Sequence, residues 1–160
     1  MSEARTAAGG QLEAVYGGPS ESGFGSAVFR LPAAEKADDL DAAAEAIYRR
    51  FVGDAWKLGG DDAWMAPWKC VYERAGATDR GIVAELRGID DQAAKGSVPL
   101  LMDLLPDPGA AEQALSAAFD EPGMAAVSAY NIGDGAAMSG VLLAGEKKNG
   151  ERLFVIALLD

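Results

Sequence analysis

The sequence predicts an α+β domain in which a curved antiparallel sheet packs against two or three helices. Three observations carry that prediction. Residues 124–160 read as three β-forming runs separated by turn residues. Residues from about 39 to 52 place apolar side chains at helical spacing. The final run, Leu153 to Leu159, is apolar at every position, unlike an antiparallel strand with one wet face. The 160 residues, 49% hydrophobic and 24% charged, suit a single globular domain.

Residues 1–26 carry Gly9, Gly10, Gly17, Gly18, Pro19, Ser20, Ser22, Gly23 and Gly25, so they are expected to be a flexible segment ahead of a domain spanning 27–160. Within them, Gln11 to Tyr16 reads as a short strand. Ala27 to Leu31 is a better strand, stopped by Pro32.

The first helix is expected from about Asp39 to Val52, with Leu40, Ala43, Ala44, Ile47 and Phe51 on one stripe. Asp38, Asp39 and Asp41 lie at its positive end, and Arg49 and Arg50 at its negative end. Gly53 or the pair Gly59-Gly60 ends it. Residues 64–88 read as a central hairpin, with Trp68 to Glu73 and Gly81 to Leu86 as strands around a turn at 76–80. A helix from Thr78 is the competing reading. Asp90 to Gly96 is expected as a polar connection.

Val98 to Leu105 is apolar on nearly every side, leaving helix and strand equally open until Pro106 and Pro108 close it. A helix then starts at Pro108, with Asp107 as N-cap, and ends at residues 121–123. The expected meander runs 124–132, 138–146 and 152–159. Asn149-Gly150 fits a type I′ turn, which would set Lys148 opposite Glu151. The last strand needs cover on both faces: helices on one side, and the N-terminal loops, a partner subunit or a ligand pocket on the other.

The chain has no histidine and one cysteine. Ser-His and Cys-His nucleophile pairs and zinc sites of Cys and His are thereby excluded. Gly23-Phe24-Gly25 and Gly133-Asp134-Gly135 begin like dinucleotide fingerprints, but Val28 and Met138 replace the third glycine. No phosphate loop or nucleophile elbow is present. The chain is therefore expected to bind no cofactor and no metal, and the reading leans away from an enzyme. Cys70, inside an apolar run, is expected to be a small core residue.

The formal net charge is −11. Such a surface repels phosphate backbones and anionic lipid, so nucleic-acid and membrane partners are not expected, whereas a basic protein would be attracted. The N-terminal residues do not form a signal peptide and no run is long enough to span a bilayer, so a cytoplasmic location is expected.

Two regions are candidate sites. Trp56, Trp64 and Trp68, with Asp61 and Asp62 between them, combine charge with aromatic surface, as recognition loops do; core packing is the plainer account of the tryptophans. Tyr130, Asn131 and Asp134 form the second. Asp134 as a general base would need its pKa raised by burial, with the Tyr130 hydroxyl as donor; a tight hairpin turn is the plainer account. The doublets Asp38-Asp39 and Asp90-Asp91 read as solvated helix ends and turns.

Three functions follow. The first, and favoured, is a non-enzymatic acidic protein-binding module, for instance an inhibitor or immunity-type partner of a basic protein. The second is a cone-shaped domain whose apolar cavity holds a small ligand or an Asp/Tyr proton-transfer site. The third is a structural homodimer with its sheets face to face.

Overall fold

The computed structural model describes residues 12–18, 25–32, 39–75, 81–134 and 138–159. Asp38, the turn at 76–80, Gly135 and the glycines at 9, 10 and 23 fall outside them. The described elements are a helical turn α1 (residues 12–16), β1 (Gly25–Leu31), α2 (Leu40–Val52), α3 (Asp54–Trp64), β2 (Lys69–Ala75), α4 (Ile82–Arg87), α5 (Gln92–Ser97), a 3-10 turn (Val98–Leu101), α6 (Pro108–Phe119), β3 (Met124–Gly133), β4 (Ser139–Lys147) and β5 (Arg152–Leu159). The strands form one open antiparallel sheet in the order β1-β5-β4-β3-β2. The α+β class and the meander are as the sequence predicts.

β5 lies between β1 and β4, and its side chains alternate between two cores. Leu153, Val155 and Ala157 join Ile82, Leu86, Leu101, Leu115 and Phe119 on one face. Phe154, Ile156 and Leu158 join Ile47, Tyr48, Phe51, Trp56 and Trp64 on the other. Helices thus cover both faces, more of them than the two or three expected. The second cover comes from α2 and α3 of the same chain.

Local chemistry explains the helix limits. Asp39 Oδ1 accepts from Ala42 N at 2.7 Å and caps α2. Gly53, at φ +62°, ends α2 with its N–H on Arg49 O at 3.0 Å; α3 then starts afresh, so the helix does not run through. Asp107 caps α6 as expected, accepting from Ala110 N at 3.1 Å.

Several expectations are corrected. Gln11–Tyr16 is not a strand: residues 12–16 are helical, with Leu12 and Tyr16 buried and Tyr16 Oη donating to Leu101 O at 2.6 Å. The described parts of the expected flexible segment, 12–18 and 25–26, are therefore built into the domain, which begins before residue 27. The central hairpin has only its first strand. β2 pairs with β3, and Gly81–Leu86 contributes α4, because Ile82 and Leu86, four apart, bury together while Asp120 accepts from Ile82 N at 2.9 Å. Arg74 on β2 fixes this helix through Glu85 at 2.6 Å, and binds Asp120 at 2.9 Å.

Residues 90–96 are not merely a connection: Asp91 caps α5, accepting from Ala94 N at 3.0 Å. Cys70 is exposed rather than core. The Asn149-Gly150 turn is not type I′, since only Gly150 has positive φ, +95°. Gly150 N donates to Lys147 O at 2.9 Å and Lys147 N to Glu151 O at 2.8 Å, which is a three-residue loop closed by a left-handed glycine. Lys148 consequently does not face Glu151, and the ion pair beside the turn is Arg152–Glu146 at 3.1 Å.

Two glycines test the packing in opposite directions. A Cβ on Gly140 would lie 2.0 Å from Ala157 O of β5, whereas one on Gly96 in α5 would meet nothing within 4 Å. Gly140→Ala is expected to cost about 1–3 kcal/mol or more, and Gly96→Ala to add about 0.5–1 kcal/mol. Urea denaturation of the two variants checks both, and a neutral Gly140→Ala would contradict the tight β4–β5 approach.

Candidate functional site

Five aromatic side chains meet on the α2–α3 face of the sheet. The apolar stripe of α2 turns Tyr48 inward. α3 folds back to bring Trp56 and Trp64 against it, and Trp68 enters from the start of β2. The Trp68 ring stacks between Tyr48, at 5.5 Å, and Tyr130 of β3, at 4.7 Å. Trp56 meets Tyr48 edge-on at 5.0 Å and stacks with Trp64 at 6.2 Å. Gly59 admits the Trp64 indole, whose Nε1 would be 2.9 Å from a Cβ at that position.

The indole N–H groups of Trp56 and Trp64 and the hydroxyls of Tyr48 and Tyr130 are engaged. Trp56 Nε1 donates to Asp61 Oδ1 at 2.8 Å and Trp64 Nε1 to Ala55 O at 3.1 Å. Arg49 grips Asp61 through both terminal nitrogens, at 3.1 and 3.3 Å, while its guanidinium lies 4.4 Å from the Trp56 ring centroid. Arg49 first, then the Trp56 N–H, holds the Asp61 carboxyl below the usual carboxylate range. Tyr48 Oη accepts from Gly133 N at 2.9 Å, and Trp64 O at 2.7 Å and Gly133 O at 2.8 Å compete for its one proton. Burial pushes this phenol well above its ordinary range.

The sequence candidates thus divide. Trp56, Asp61, Trp64, Trp68 and Tyr130 come together, Asp62 is exposed beside them, and Asn131 and Asp134 lie apart. The Tyr130 hydroxyl donates to Asp41 at the start of α2, so its carboxylate partner is not Asp134; burial, then Asp41, raises the phenol. Asp134 closes the β3–β4 connection, its Oδ1 accepting from Met138 N at 3.0 Å and its own N–H reaching Met138 O at 3.2 Å. Asn131 points to the opposite face, where Nδ2 donates to Asp91 Oδ1 at 2.9 Å and Lys69 Nζ pairs with Asp91 at 2.9 Å. The Asn131 and Lys69 bonds hold the Asp91 carboxyl far below its usual range. Asn131 Oδ1 is buried without a partner among the described residues.

Tyr48, Arg49 and Asp41 organise the site and are absent from the sequence candidates. A tyrosine in an otherwise apolar stripe was the available signal for Tyr48, since a buried phenol needs partners. Among the described residues no group of three or more Cys, Asp or Glu side chains is placed to hold a metal ion. A cleft of about 230 Å³ opens between Asp39, Leu40, Asp41, Glu73, Arg74, Ala126 and Ser128, mixing charged and apolar side chains. Only two large apolar side chains among the described residues stand exposed, Leu58 at 91% and Leu104 at 68%. Comparison with protein-family models, curated proteins and solved structures finds no match.

Two measurements probe this arrangement. Tyr48→Phe strands the buried Gly133 N–H and is expected to cost about 1–3 kcal/mol in chemical denaturation; an unchanged midpoint would show the hydroxyl is not a tether. The chain has four tyrosines, and all four phenols are raised: Tyr16, Tyr48 and Tyr130 chiefly by burial, and Tyr72, also by burial, to about 12. A raised folded-state pKa contributes stability below the ordinary tyrosine value of about 10, and that stability fades as pH climbs past it. Tyrosinate absorbance should therefore appear late, in one steep step coincident with loss of circular dichroism. A broad titration near the ordinary value with the fold intact would contradict it.

Proposed function

We propose that this protein is an acidic binding module that engages a basic protein, with an inhibitor or immunity-type role as its concrete form. The observation that carries the reading is how the charge is spent. Asp61 and Asp41 in the aromatic cluster, and Asp91 and Asp134 outside it, accept hydrogen bonds that hold the fold. The Trp56 and Trp64 N–H groups and the Tyr48 and Tyr130 hydroxyls donate to groups of the same chain. Meanwhile Asp54, Asp62, Glu73 and Asp90 stand on the exposed surface of a chain of net charge −11. A surface of that sign accelerates encounter with a cationic partner, suppresses binding to anionic ones, and imposes salt dependence on the rate.

The ligand-cavity reading gains less support. Its motive was the doubly apolar β5, whose second face is covered by α2 and α3 of the same chain. Among the described residues no helix is long and apolar enough to cross a membrane.

Calorimetric titration against a panel of cationic proteins, with lysozyme and cytochrome c as reference probes, tests the proposal. Saturable binding is expected, with association slowing steeply between about 0.05 and 0.5 M salt. Replacing Asp54, Asp62 and Glu73 together by Lys should slow association about 10-fold at low salt. Affinity indifferent to ionic strength, or no binding at low salt, would overturn it.

A further inference from the structure

We infer that the tip of α3 is the contact surface of this module, with Leu58 as an apolar knob that enters a pocket rimmed by Lys or Arg on the partner. The inference rests on the binding reading above and names its surface.

Leu58 is 91% exposed in a domain whose other large apolar side chains, Leu104 excepted, are at least partly covered among the described residues. A leucine held out this far gains nothing for the fold, whereas burial in a partner would withdraw its whole side chain from water. Its setting is acidic. Asp54, with its side chain 99% exposed, lies four residues earlier on the same helical face, and the exposed Asp62 follows the bend beside Asp61, whose charge Arg49 already pairs. Lys57 is the one cation inside the tip and sits 3.6 Å from Asp54.

The tip is also stiff, which separates it from an ordinary surface loop. Gly60, at φ +71° and ψ −179°, breaks the helix immediately after Leu58-Gly59. Gly59 rests on the Trp64 indole, and Trp56 and Trp64 stack beneath. Asp61 is tied to Arg49 and to Trp56. A knob fixed before the partner arrives loses little conformational freedom on docking. Leu104 has no comparable base, and its neighbour Asp103 is paired with Arg87 at 2.8 Å. A second copy of this chain would present the same acids and is disfavoured as the occupant.

The test uses the whole, isotope-labelled chain and, as probe, an amphipathic helical peptide of lysine and leucine at low salt, followed by amide chemical shifts. Saturable shifts concentrated at residues 54–62 are expected, with Leu58→Ser weakening binding about 10-fold and Leu104→Ser changing it less than about 2-fold. Both leucines are exposed, so circular dichroism should be unaltered in either variant. Saturable binding mapped elsewhere, or indifferent to Leu58→Ser, overturns this surface while leaving the acidic-module reading standing. Absence of saturable binding to the peptide and to the cationic proteins overturns both.

Discussion

The burial of β5 on both faces is the constraint from which the rest of the architecture follows. Six consecutive apolar side chains, Leu153 to Leu158, are at most 2% exposed. Burying each of the five larger ones contributes about 1.5–3 kcal/mol and Ala157 less, so together they contribute on the order of 10 kcal/mol before entropy is charged against them. That is as large as the whole net stability of an ordinary domain. Neither helical layer is therefore dispensable. The layer of α1, α4, α5 and α6 shields Leu153, Val155 and Ala157, and the layer of α2 and α3 shields Phe154, Ile156 and Leu158. The sheet needs both ends of the chain as well, since β1 closes the outer edge of β5 with Ala27 opposite Ile156 and Phe29 opposite Phe154.

This dependence explains which parts of the fold were legible in the sequence. α2, α6 and the meander carry their own signals: a one-sided stripe, capping aspartates, and turn residues between β-forming runs. Residues 81–86 do not. Their helix is fixed by groups distant in sequence, Asp120 at its first N–H and Arg74 against Glu85, and local β propensity gives no notice of either. α5 was hidden for a related reason, because Asp91 looks like one half of a solvated doublet until Asn131 and Lys69 arrive to hold it. The reading of β5 went furthest. It demanded a second cover, but a sequence cannot say that the cover is the same chain's α2 and α3.

The candidate site was half legible in the same sense. Three tryptophans within thirteen residues announce an aromatic cluster, and the structure adds Tyr48 and Tyr130 to stack around Trp68. The pairing of Tyr130 with Asp41 joins residues 89 positions apart, a distance over which spacing carries no information. The same pairing removes Tyr130 from any partnership with Asp134. What the cluster does physically is consume hydrogen-bonding groups: two of its three indole N–H groups, both phenol O–H groups and the Asp61 and Asp41 carboxylates are matched within it. A group so matched is costly to release for proton transfer, and the cluster is better suited to stiffening than to chemistry.

Stiffness at that position has a direction. α3 is short, it is broken at Gly60, and it carries two glycines in a row, which on propensity alone makes it a poor helix. It persists because Trp56 and Trp64 anchor it from below and because Arg49 reaches from α2 to hold Asp61. Aromatic burial thus stabilises a segment whose outer surface the fold does not need. Sequence on that surface is released from packing constraints, and what occupies it is Asp54, Lys57, Leu58 and Asp62. Were the role of the segment only to cover the sheet, Trp56 and Trp64 would suffice and a polar side chain at 58 would serve solubility better. An exposed leucine on a braced acidic tip instead suits the proposed contact surface, in which apolar contact would supply adhesion and charge would select the partner's sign.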